Sequence, residues 1–359
     1  MRFRTTSPRV VATGVTGSPG PDGPGERRVN TVPALRNLEP IRVVPGGRLW
    51  VHGEGFPLPA ASADDISIAG VPARISFAAP ARIAVVVPEP VPGGAQPVKV
   101  SWAPGATLYA DVARVLATGL HQVDNPVLDG VGNVYVTYSG SRGQQAAVSI
   151  FRVTPNAARE PFVHGLVNPT SLVLGPDGKL YVSSRFEGRV YRVHEDGQYE
   201  VIGSDLGIAT GLAFTPDGAL YVGDRSGTLF RIDTQGRTET VATLPGSMAA
   251  FHLAVGPDGW IYVAAPTLST YDTLRRVHPD GRVEPLEWVF GRPQGVAFDS
   301  GGILHVVEAL AGSSGVYALR PGRPRELVVS GPNLVGLAFA PDGGLVLASN
   351  DTLYGFGLR

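Results

Sequence analysis

The chain has 359 residues, of which 43% are hydrophobic, so it is long enough for two or three domains and apolar enough to bury a sizeable core. Its formal net charge of −1 argues against a nucleic-acid-binding or anionic-membrane-binding surface. The 47 glycines and 32 prolines predict many turns and an all-β fold, and the lack of cysteine excludes disulfides, thiolate metal sites and a cysteine nucleophile.

The first 33 residues include a glycine- and proline-rich run, "TGSPGPDGPGERRV", which predicts a flexible tail. The start, "MRFRTTSPRVVATGV", lacks the apolar run of a signal peptide, and no apolar stretch of about 18 residues exists in the chain. The sequence therefore predicts a cytoplasmic protein without a membrane span. A true start further upstream would leave secretion or export to a periplasm open.

Residues 35–103 contain short alternating segments such as "RLWVHGEGF", "ISIAG", "RIAVVVP" and "PVKVSW", about ten residues apart. This spacing is typical of a β-sandwich. The order of "PGG", "GEGF", "IAGVPA", "VVP" and "GG" resembles the IPT/TIG family of immunoglobulin-like domains. That resemblance implies a small sandwich that acts as a spacer or interaction module, without catalytic residues. Residues 104–112 are interpreted as a linker.

The rest of the chain, residues 113–359, repeats itself. Turns such as "GPDGKLYV", "TPDGALYV" and "GPDGWIYV" recur six times at intervals of 40 to 46 residues. Their glycines are Gly132, Gly178, Gly218, Gly259, Gly302 and Gly343. Each repeat contains four strand-like segments, and a four-stranded sheet with two apolar faces needs neighbours on both sides. The sequence therefore predicts a six-bladed β-propeller, in which the turn aspartates, for example Asp177, are turn formers.

The sixth repeat ends after three strands, whereas an unassigned strand, "ARVLATGL", precedes the first repeat. We predict that residues 113–119 supply the missing strand and close the ring, which leaves no open sheet edge. The "PDGxLYV" repeats resemble NHL-repeat propellers and the SMP-30/gluconolactonase-like group over the whole of 113–359. This motif identifies propellers in general and does not distinguish their functions.

The lactonase resemblance implies a central metal held by carboxylate and amide oxygens where the inner strands begin. The corresponding positions here are Asp124, Thr170, Thr210, Phe251, Gln294 and Val335. Only Asp124 is a carboxylate, and Phe251 cannot be a ligand, so the set is poor for calcium. We therefore predict no cofactor. The alternative is calcium or another divalent metal on Asp124, Gln294 and, if the register slips by one residue, Asn125.

His252 begins the inner strand of the fourth repeat, where three other repeats have glycine. An imidazole beside the channel suggests a general base or a ligand, and a packed filler is the alternative. Asp124 and His252 are thus the candidate catalytic residues. His121 precedes the first inner strand and is a further candidate for the same mouth.

The channel mouth and its loops predict a ligand-binding rim. Its candidate residues are Asn125, Thr170, Thr210, Asp224, Arg225, Tyr271, Gln294 and Glu308. Arginines there, including Arg185, suit a carboxylate or a sugar acid, because a guanidinium binds such groups with two parallel hydrogen bonds. The alternative is that these are solvated loop residues that pair with their neighbours.

We expect the chain to be a non-catalytic binding module whose propeller presents this rim to a small molecule, a glycan or a protein. The IPT/TIG-like domain would be a spacer or second contact. Nucleic acid is not an expected partner, because basic patches interleaved with aromatic residues are absent. The competing hypothesis is a metal-dependent lactone or ester hydrolase that uses Asp124, Gln294 and His252.

Overall fold

The structure is a computed structural model that describes residues 33–57 and 65–358. In these residues every helix or strand element is a β-strand, which confirms the all-β class. No helix in the described ranges is long and apolar enough to cross a bilayer. The predicted flexible tail lies, except for its last residue, outside the described residues.

The N-terminal part forms two facing sheets. Its strands are β1 (Ala34–Glu39), β2 (Arg42–Val43), β3 (Arg48–Glu54), β4 (Ile66–Ile68), β5 (Val71–Pro72), β6 (Arg74–Ala79), β7 (Arg82–Val86), β8 (Gly94–Val100) and β9 (Leu108–Val112). One sheet has the order β1-β3-β7-β6, and the other contains β5-β4-β8-β9-β2. Alternate residues of β3, such as Leu49 and Val51, are buried against Ile66 and Ile68 of the second sheet. The period of two thus places one face of each strand in a shared core.

Strand β9 lies within the segment that the sequence suggested was a linker. It pairs with β8 in antiparallel fashion and with β2 in parallel fashion. Ala110 and Val112 are buried in the core, whereas Tyr109 is 61% exposed and Asp111 is half-buried. This short alternation is a strand pattern, so the chain continues from the N-terminal sheet towards the repeats without a flexible break.

Each of the first five repeats forms four antiparallel strands in consecutive order. Repeat 1 has β11 (Val127–Leu128), β12 (Val134–Thr137), β13 (Ile150–Val153) and β14 (Arg159–Val163). Repeat 2 has β15 (Pro169–Leu174), β16 (Leu180–Ser184), β17 (Arg189–Val193) and β18 (Tyr199–Gly203). Repeat 3 has β19 (Ala209–Phe214), β20 (Leu220–Asp224), β21 (Thr228–Ile232) and β22 (Thr238–Thr243). Their apolar faces form buried clusters shared between neighbouring sheets, as predicted for units that cannot bury both faces alone.

The remaining repeats continue this arrangement. Repeat 4 has β23 (His252–Val255), β24 (Ile261–Ala264), β25 (Asp272–Val277) and β26 (Val283–Phe290), and repeat 5 has β27 (Pro293–Phe298), β28 (Leu304–Glu308), β29 (Gly315–Leu319) and β30 (Glu326–Ser330). Repeat 6 has β31 (Leu334–Phe339), β32 (Leu345–Ser349) and β33 (Thr352–Phe356). Its fourth strand is β10 (Arg114–Thr118), which pairs antiparallel with β33. The segment before the repeats therefore completes the last sheet.

The first strands of consecutive repeats contact one another, β11 with β15 and so on to β31, which in turn contacts β11. We call the loops that enter the first strands, together with those joining the second and third strands, the mouth side. The turns joining first to second and third to fourth strands form the turn side. Because the strands alternate in direction, these two sets of loops lie at opposite ends of each sheet.

The N-terminal part is joined to the repeats by a continuous sheet. Strand β2 pairs in parallel with β30, so repeat 5 and the second N-terminal sheet form one nine-stranded sheet. The amide of Val44 also donates to the Ser330 carbonyl at 3.0 Å, and the amide of Arg48 to the Ser330 hydroxyl at 3.0 Å. Backbone hydrogen bonds thereby fix the N-terminal part to the outer edge of repeat 5.

Candidate functional site

Three of the predicted catalytic or metal-binding residues meet on the mouth side. Asp124 precedes β11, His252 is the first residue of β23, and Gln294 is the second residue of β27. Asp124 Oδ1 lies 2.6 Å from His252 Nδ1, and Gln294 Oε1 lies 3.1 Å from His252 Nε2. His252 is fully buried, and Asp124 is only 2% exposed. The sequence therefore identified a real cluster, contributed by three different repeats.

The three side chains form a buried network of polar contacts centred on His252. Both ring nitrogens of His252 have a side-chain oxygen as neighbour, so neither is free to accept a proton from a substrate or to bind a metal. Such mutual satisfaction is what a buried polar group needs in order to avoid a desolvation penalty.

The cluster does not fit calcium. A calcium ion takes six to eight oxygen ligands, and here one carboxylate and one amide oxygen both face an imidazole. The described residues contain no group of three or more His, Asp, Glu or Cys side chains placed to hold a metal. Phe251, at the corresponding position of repeat 4, is fully buried and has no ligand atom in its side chain.

Asn125 joins the inner strands of three repeats. Its Nδ2 donates to the Val296 carbonyl at 2.8 Å, and its Oδ1 accepts from the Leu337 amide at 3.0 Å. A Cβ atom at Gly295 would lie 2.3 Å from this Oδ1, and one at Gly336 would lie 2.4 Å from the Asp124 carbonyl. This close approach explains the glycines at two of the positions where repeat 4 has a histidine.

Gln122, which the sequence analysis did not single out, holds the segment that carries Asp124. Its Nε2 donates to the carbonyls of Asp124 and Asn125 at 2.8 and 3.0 Å. Its Oε1 accepts from the Thr137 amide at 2.6 Å. Gln122 is fully buried, so it is a positioning residue for the entry to the first inner strand.

The two threonines predicted for the rim are buried and act between strands. The Thr210 hydroxyl donates to the Gly223 carbonyl at 3.0 Å and accepts from the Phe251 amide at 3.0 Å, which links repeats 3 and 4. The Thr170 hydroxyl donates to the Asn168 carbonyl at 3.0 Å. Neither hydroxyl reaches the surface of the mouth.

The two carboxylates predicted for the rim end the second strands of their repeats and face inward. Glu308 is fully buried and accepts from the amides of Gly291, Arg292 and Leu310 at 2.7 to 2.9 Å. Asp224 is buried and accepts from the amides of Ile208 and Ser226 at 2.9 and 3.0 Å. In repeat 4, Asp272 accepts hydrogen bonds from the amide and the hydroxyl of Thr267. These carboxylates fix the mouth loops.

Arginines occupy the outer surface of the same loops. Arg225 is exposed and donates to the carbonyls of Ser247 and Met248 at 3.1 and 2.7 Å. Arg185 is half-buried and donates to the Gly140 carbonyl at 3.3 Å. Burial, then the positive charge of Arg225 and that of Arg142, lower the pKa of Arg185. Burial, then the charge of Arg185, lower the pKa of His121.

The loop that carries Arg142 is shaped by a single asparagine. Asn168 has a positive φ of 47°, and its Nδ2 donates to the carbonyls of Ser139 and Ser141 at 2.5 and 2.7 Å. Its Oδ1 accepts from the Gly143 amide at 2.7 Å. Sequence reasoning did not identify Arg142 as a rim residue, because nothing in "SGSRGQQ" shows that Asn168 folds this loop over the mouth.

The turn side carries a repeated set of ion pairs. In repeats 1 to 4 an arginine of the third strand lies directly opposite a glutamate of the fourth: Arg152 and Glu160, Arg192 and Glu200, Arg231 and Glu239, Arg276 and Glu284. Their closest nitrogen–oxygen distances are 2.6 to 3.4 Å. The turn aspartates accept backbone hydrogen bonds within their own turns, Asp177 from Lys179 for example. They form no central acidic site.

Two cavities lie away from the mouth. One of about 780 Å³ lies between the N-terminal part and the sheets of repeats 1 and 6, where Asp111, Arg114 and Asp342 line it. Another, of about 790 Å³, lies where the inner turns of repeats 2 to 5 converge on the turn side. Neither contains a residue that the sequence predicted for ligand binding.

Several solved structures resemble this chain. A gluconolactonase from Xanthomonas campestris is 15% identical with a TM-score of 0.56, and the match covers 68% of this chain and 89% of that one. An auxiliary nutrient binding protein from Bacteroides thetaiotaomicron is 12% identical with a TM-score of 0.53, covering 92% and 99%. A catalytically inactive virginiamycin B lyase from Staphylococcus aureus, solved with quinupristin, is 14% identical with a TM-score of 0.50, covering 91% and 96%.

No protein-family model and no curated protein sequence matches the chain. At these low identities the structural likeness establishes the fold and not the ligand or the activity. The sequence-based likeness to lactonase-type propellers is thus confirmed at the level of the fold. The chain is an all-β protein with a β-propeller fold.

Proposed function

We propose that the chain is a non-catalytic binding module. It would present the mouth side of a six-bladed propeller to its ligand, with the N-terminal IPT/TIG-like sandwich as a spacer or second contact. The observation that carries this proposal is the state of Asp124, His252 and Gln294, which are buried and bonded to one another. A histidine that acts as a base or a metal ligand needs a ring nitrogen that faces solvent or substrate, and both ring nitrogens of His252 face side-chain oxygens instead.

The six-bladed arrangement is supported by the strand pairing. The six first strands contact one another in sequence, and the last contacts the first. Strand β10 completes the sheet of repeat 6 by pairing with β33. Joining the two ends of the repeat region in one sheet would hold the ring shut, because opening it would expose unpaired backbone groups.

The role of the sandwich as a spacer is supported by its attachment. The nine-stranded sheet ties it to the outer edge of repeat 5, so its position is set by backbone hydrogen bonds and not by a flexible linker. Ile41 and Tyr109 near this junction are each 61% exposed. They are available for a second contact with the same ligand or partner.

A hydrolase remains the second candidate, because a carboxylate within 2.6 Å of an imidazole is also a component of many catalytic sites. In this reading the cluster would have to open so that His252 Nε2 could leave Gln294 and face a substrate. Asp124 would then orient the imidazole as a positioning residue.

An activity screen separates the two functions. The purified chain is assayed against a panel of lactones and esters, with and without calcium, zinc and manganese, beside His252→Ala and the turn-side control His194→Ala. We expect turnover no faster than buffer, and almost no rise of the melting temperature with micromolar calcium, because stabilisation by a ligand requires a site. Turnover that is lost in His252→Ala but kept in His194→Ala would establish the hydrolase. A rise of several degrees with micromolar calcium would show a metal site and contradict the expected absence of one.

A further inference from the structure

The arginines of the mouth side have no carboxylate partner. Arg142, Arg185, Arg225 and Arg292 form no ion pair within residues 33–57 and 65–358, whereas on the turn side Arg152, Arg192, Arg231, Arg276 and Arg320 each form at least one. A guanidinium carries five N–H donors. Arg225 uses two of them on loop carbonyls and Arg185 uses one. Most donors of these side chains therefore remain free for solvent or a ligand.

These cations also lie close enough to influence one another. Arg185 donates to the Gly140 carbonyl, two residues before Arg142. Burial and then the charges of Arg225 and Arg142 lower the pKa of Arg185, and burial and then the charge of Arg185 lower that of His121. Like charges that are held together destabilise a surface. An anion bound from outside would relieve this repulsion, so the arrangement favours an acidic ligand.

The buried carboxylates of the mouth side form no ion pair with these four arginines. Asp224, Asp272 and Glu308 are at most 6% exposed and accept hydrogen bonds from the mouth-side loops, and Glu308 also lies 3.6 Å from Arg325. On the described mouth-side loops, the carboxylates that are not buried are those of Glu187, Asp205 and Asp351. Glu187 accepts from the Tyr191 hydroxyl at 2.8 Å. Among the side chains of these described loops that are not buried, four arginines therefore outnumber three carboxylates, although the whole chain has a net charge of −1.

Large apolar side chains are exposed among these arginines. They are Phe186, Ile208, Met248, Leu268, Tyr271 and Leu310, with exposures from 37% to 88%. Phe186 packs against Gly143, next to Arg142, and Arg225 bonds to the Met248 carbonyl. Aromatic residues, methionine and arginine are the residue types that are enriched at protein–protein interfaces.

We propose that the mouth side is a docking surface for an acidic polypeptide segment that also carries apolar side chains. Its carboxylates would bind Arg142, Arg185 and Arg225, and its apolar residues would pack on Phe186 and Met248. This inference rests on the proposed binding function. A polypeptide is favoured over a small anion because the cations and apolar groups are spread over loops of several repeats, while Asp124, His252 and Gln294 are buried and bonded to one another.

The test uses the full chain and an array of synthetic peptides in which Glu, Asp, Phe and Leu are permuted. Matched arrays replace the acids with Lys or the apolar residues with Ser, and an oligo-dT strand and citrate serve as further probes. Binding is measured by fluorescence anisotropy at low and at high salt. We expect binding only by peptides that are both acidic and apolar, with affinity falling as salt rises.

Two substitutions locate the surface. Arg142→Glu and Phe186→Ser change exposed side chains, and each is expected to weaken peptide binding about tenfold or more without altering the melting temperature. Arg237→Glu and Arg323→Glu, in turns of the opposite side, are the matched controls and should bind like the unmodified chain. Circular dichroism confirms that all four variants fold.

Several outcomes overturn the docking surface: no acidic peptide binds, the Lys peptides bind equally well, Arg142→Glu has no effect, or only oligo-dT or citrate binds in an Arg142-dependent way. These outcomes leave the non-catalytic reading of the buried cluster intact. Conversely, a hydrolase activity that depends on His252 would overturn the proposed function while peptide binding at Arg142 could still stand, so the two failures are distinguishable.

Discussion

The turn side and the mouth side use the same residue types in opposite ways. On the turn side, arginines of the third strands face glutamates of the fourth strands across the ladder, and the charges cancel within each sheet. On the mouth side, the buried carboxylates face the backbone while the arginines point outward without a carboxylate partner in the described chain. The third-strand arginines of repeats 1 to 4 are therefore paired at one end of the sheets, and the loop arginines at the other end are not.

The reason for the difference lies in the backbone. Turn-side groups sit at the ends of regular hairpins, where ladder and turn hydrogen bonds already satisfy most amides. The mouth loops have no ladder, so their buried amides need side-chain acceptors. Glu308 and Asp224 supply these acceptors, and neither forms an ion pair with an arginine of the mouth loops, although Glu308 lies 3.6 Å from Arg325.

We expect the largest difference between the two sides when one glutamate of repeat 5 is removed from each, Glu308 on the mouth side and Glu326 on the turn side, and the free energies of unfolding are compared. Glu308→Ala leaves three loop amides without their acceptor and should lower the free energy of unfolding by about 3 kcal/mol or more. Glu326→Ala removes the exposed partner of Arg320 and should cost no more than about 1 kcal/mol. Urea unfolding of both variants measures the two values.

Equal losses for these two variants would mean that Glu308 does not hold the loop. Glu308→Gln refines this comparison. The glutamine keeps one acceptor oxygen, but its NH2 group then faces backbone donors, either the Gly291 amide or the amides of Arg292 and Leu310. The free energy of unfolding of Glu308→Gln should therefore lie between that of the unmodified chain and that of Glu308→Ala.

The repeat architecture was predictable because each repeat carries its own turn. The "PDG" turns and the alternating apolar residues specify hairpins locally, and the missing fourth strand of repeat 6 could be matched to residues 113–119. Strand β9 was missed because Leu108, Ala110 and Val112 form only a short alternation next to "SWAPGA". The joining of β2 to β30 was also beyond the sequence, since two residues in parallel pairing leave no pattern.

The sequence predicted which positions form the candidate site, but it did not predict how their side chains contact one another. Counting from the turn glycines found Asp124 and Gln294, and the contrast with glycine found His252. Whether such side chains face solvent or one another depends on distances between repeats, which no local pattern encodes. The cross-strand arginine–glutamate pairs could have been found, because "FRV…RE", "YRV…YE" and "FRI…TE" recur at equivalent positions.

A second prediction concerns the electrostatic field at each side. Burial and then the charge of Arg185 lower the pKa of His121 on the mouth side. On the turn side burial lowers the pKa of His305, and the charge of Asp299 partly opposes this effect. Arg185→Gln should therefore raise the pKa of His121, and Asp299→Asn should lower that of His305 further. Titration of the histidine ring protons by NMR measures both directions.

The lowered pKa of His121 also determines the direction in which the free energy of unfolding changes with pH. The folded pKa of His121 lies below its ordinary value of 6.5, so its contribution is fully present above pH 6.5 and is lost as the pH falls towards the folded pKa. Arg185→Gln should make the unfolding free energy less sensitive to pH in that window. A steeper pH dependence in this variant would contradict a positive field at the mouth.

The smallest effect is expected from the turn-side pairs, and it tests whether they matter as pairs. Arg231 and Glu239 are cross-strand partners at 2.9 Å, and the Glu239 side chain is 62% exposed. A double-mutant cycle with Arg231→Gln and Glu239→Gln should give a coupling energy of about 0.2 to 1 kcal/mol that decreases as salt is added. In contrast, Arg142→Gln should leave the stability unchanged or raise it slightly at low salt, because it removes repulsion with Arg185. A clear loss of stability in Arg142→Gln would mean that the mouth arginines have partners after all, and the two sides would then be electrostatically alike.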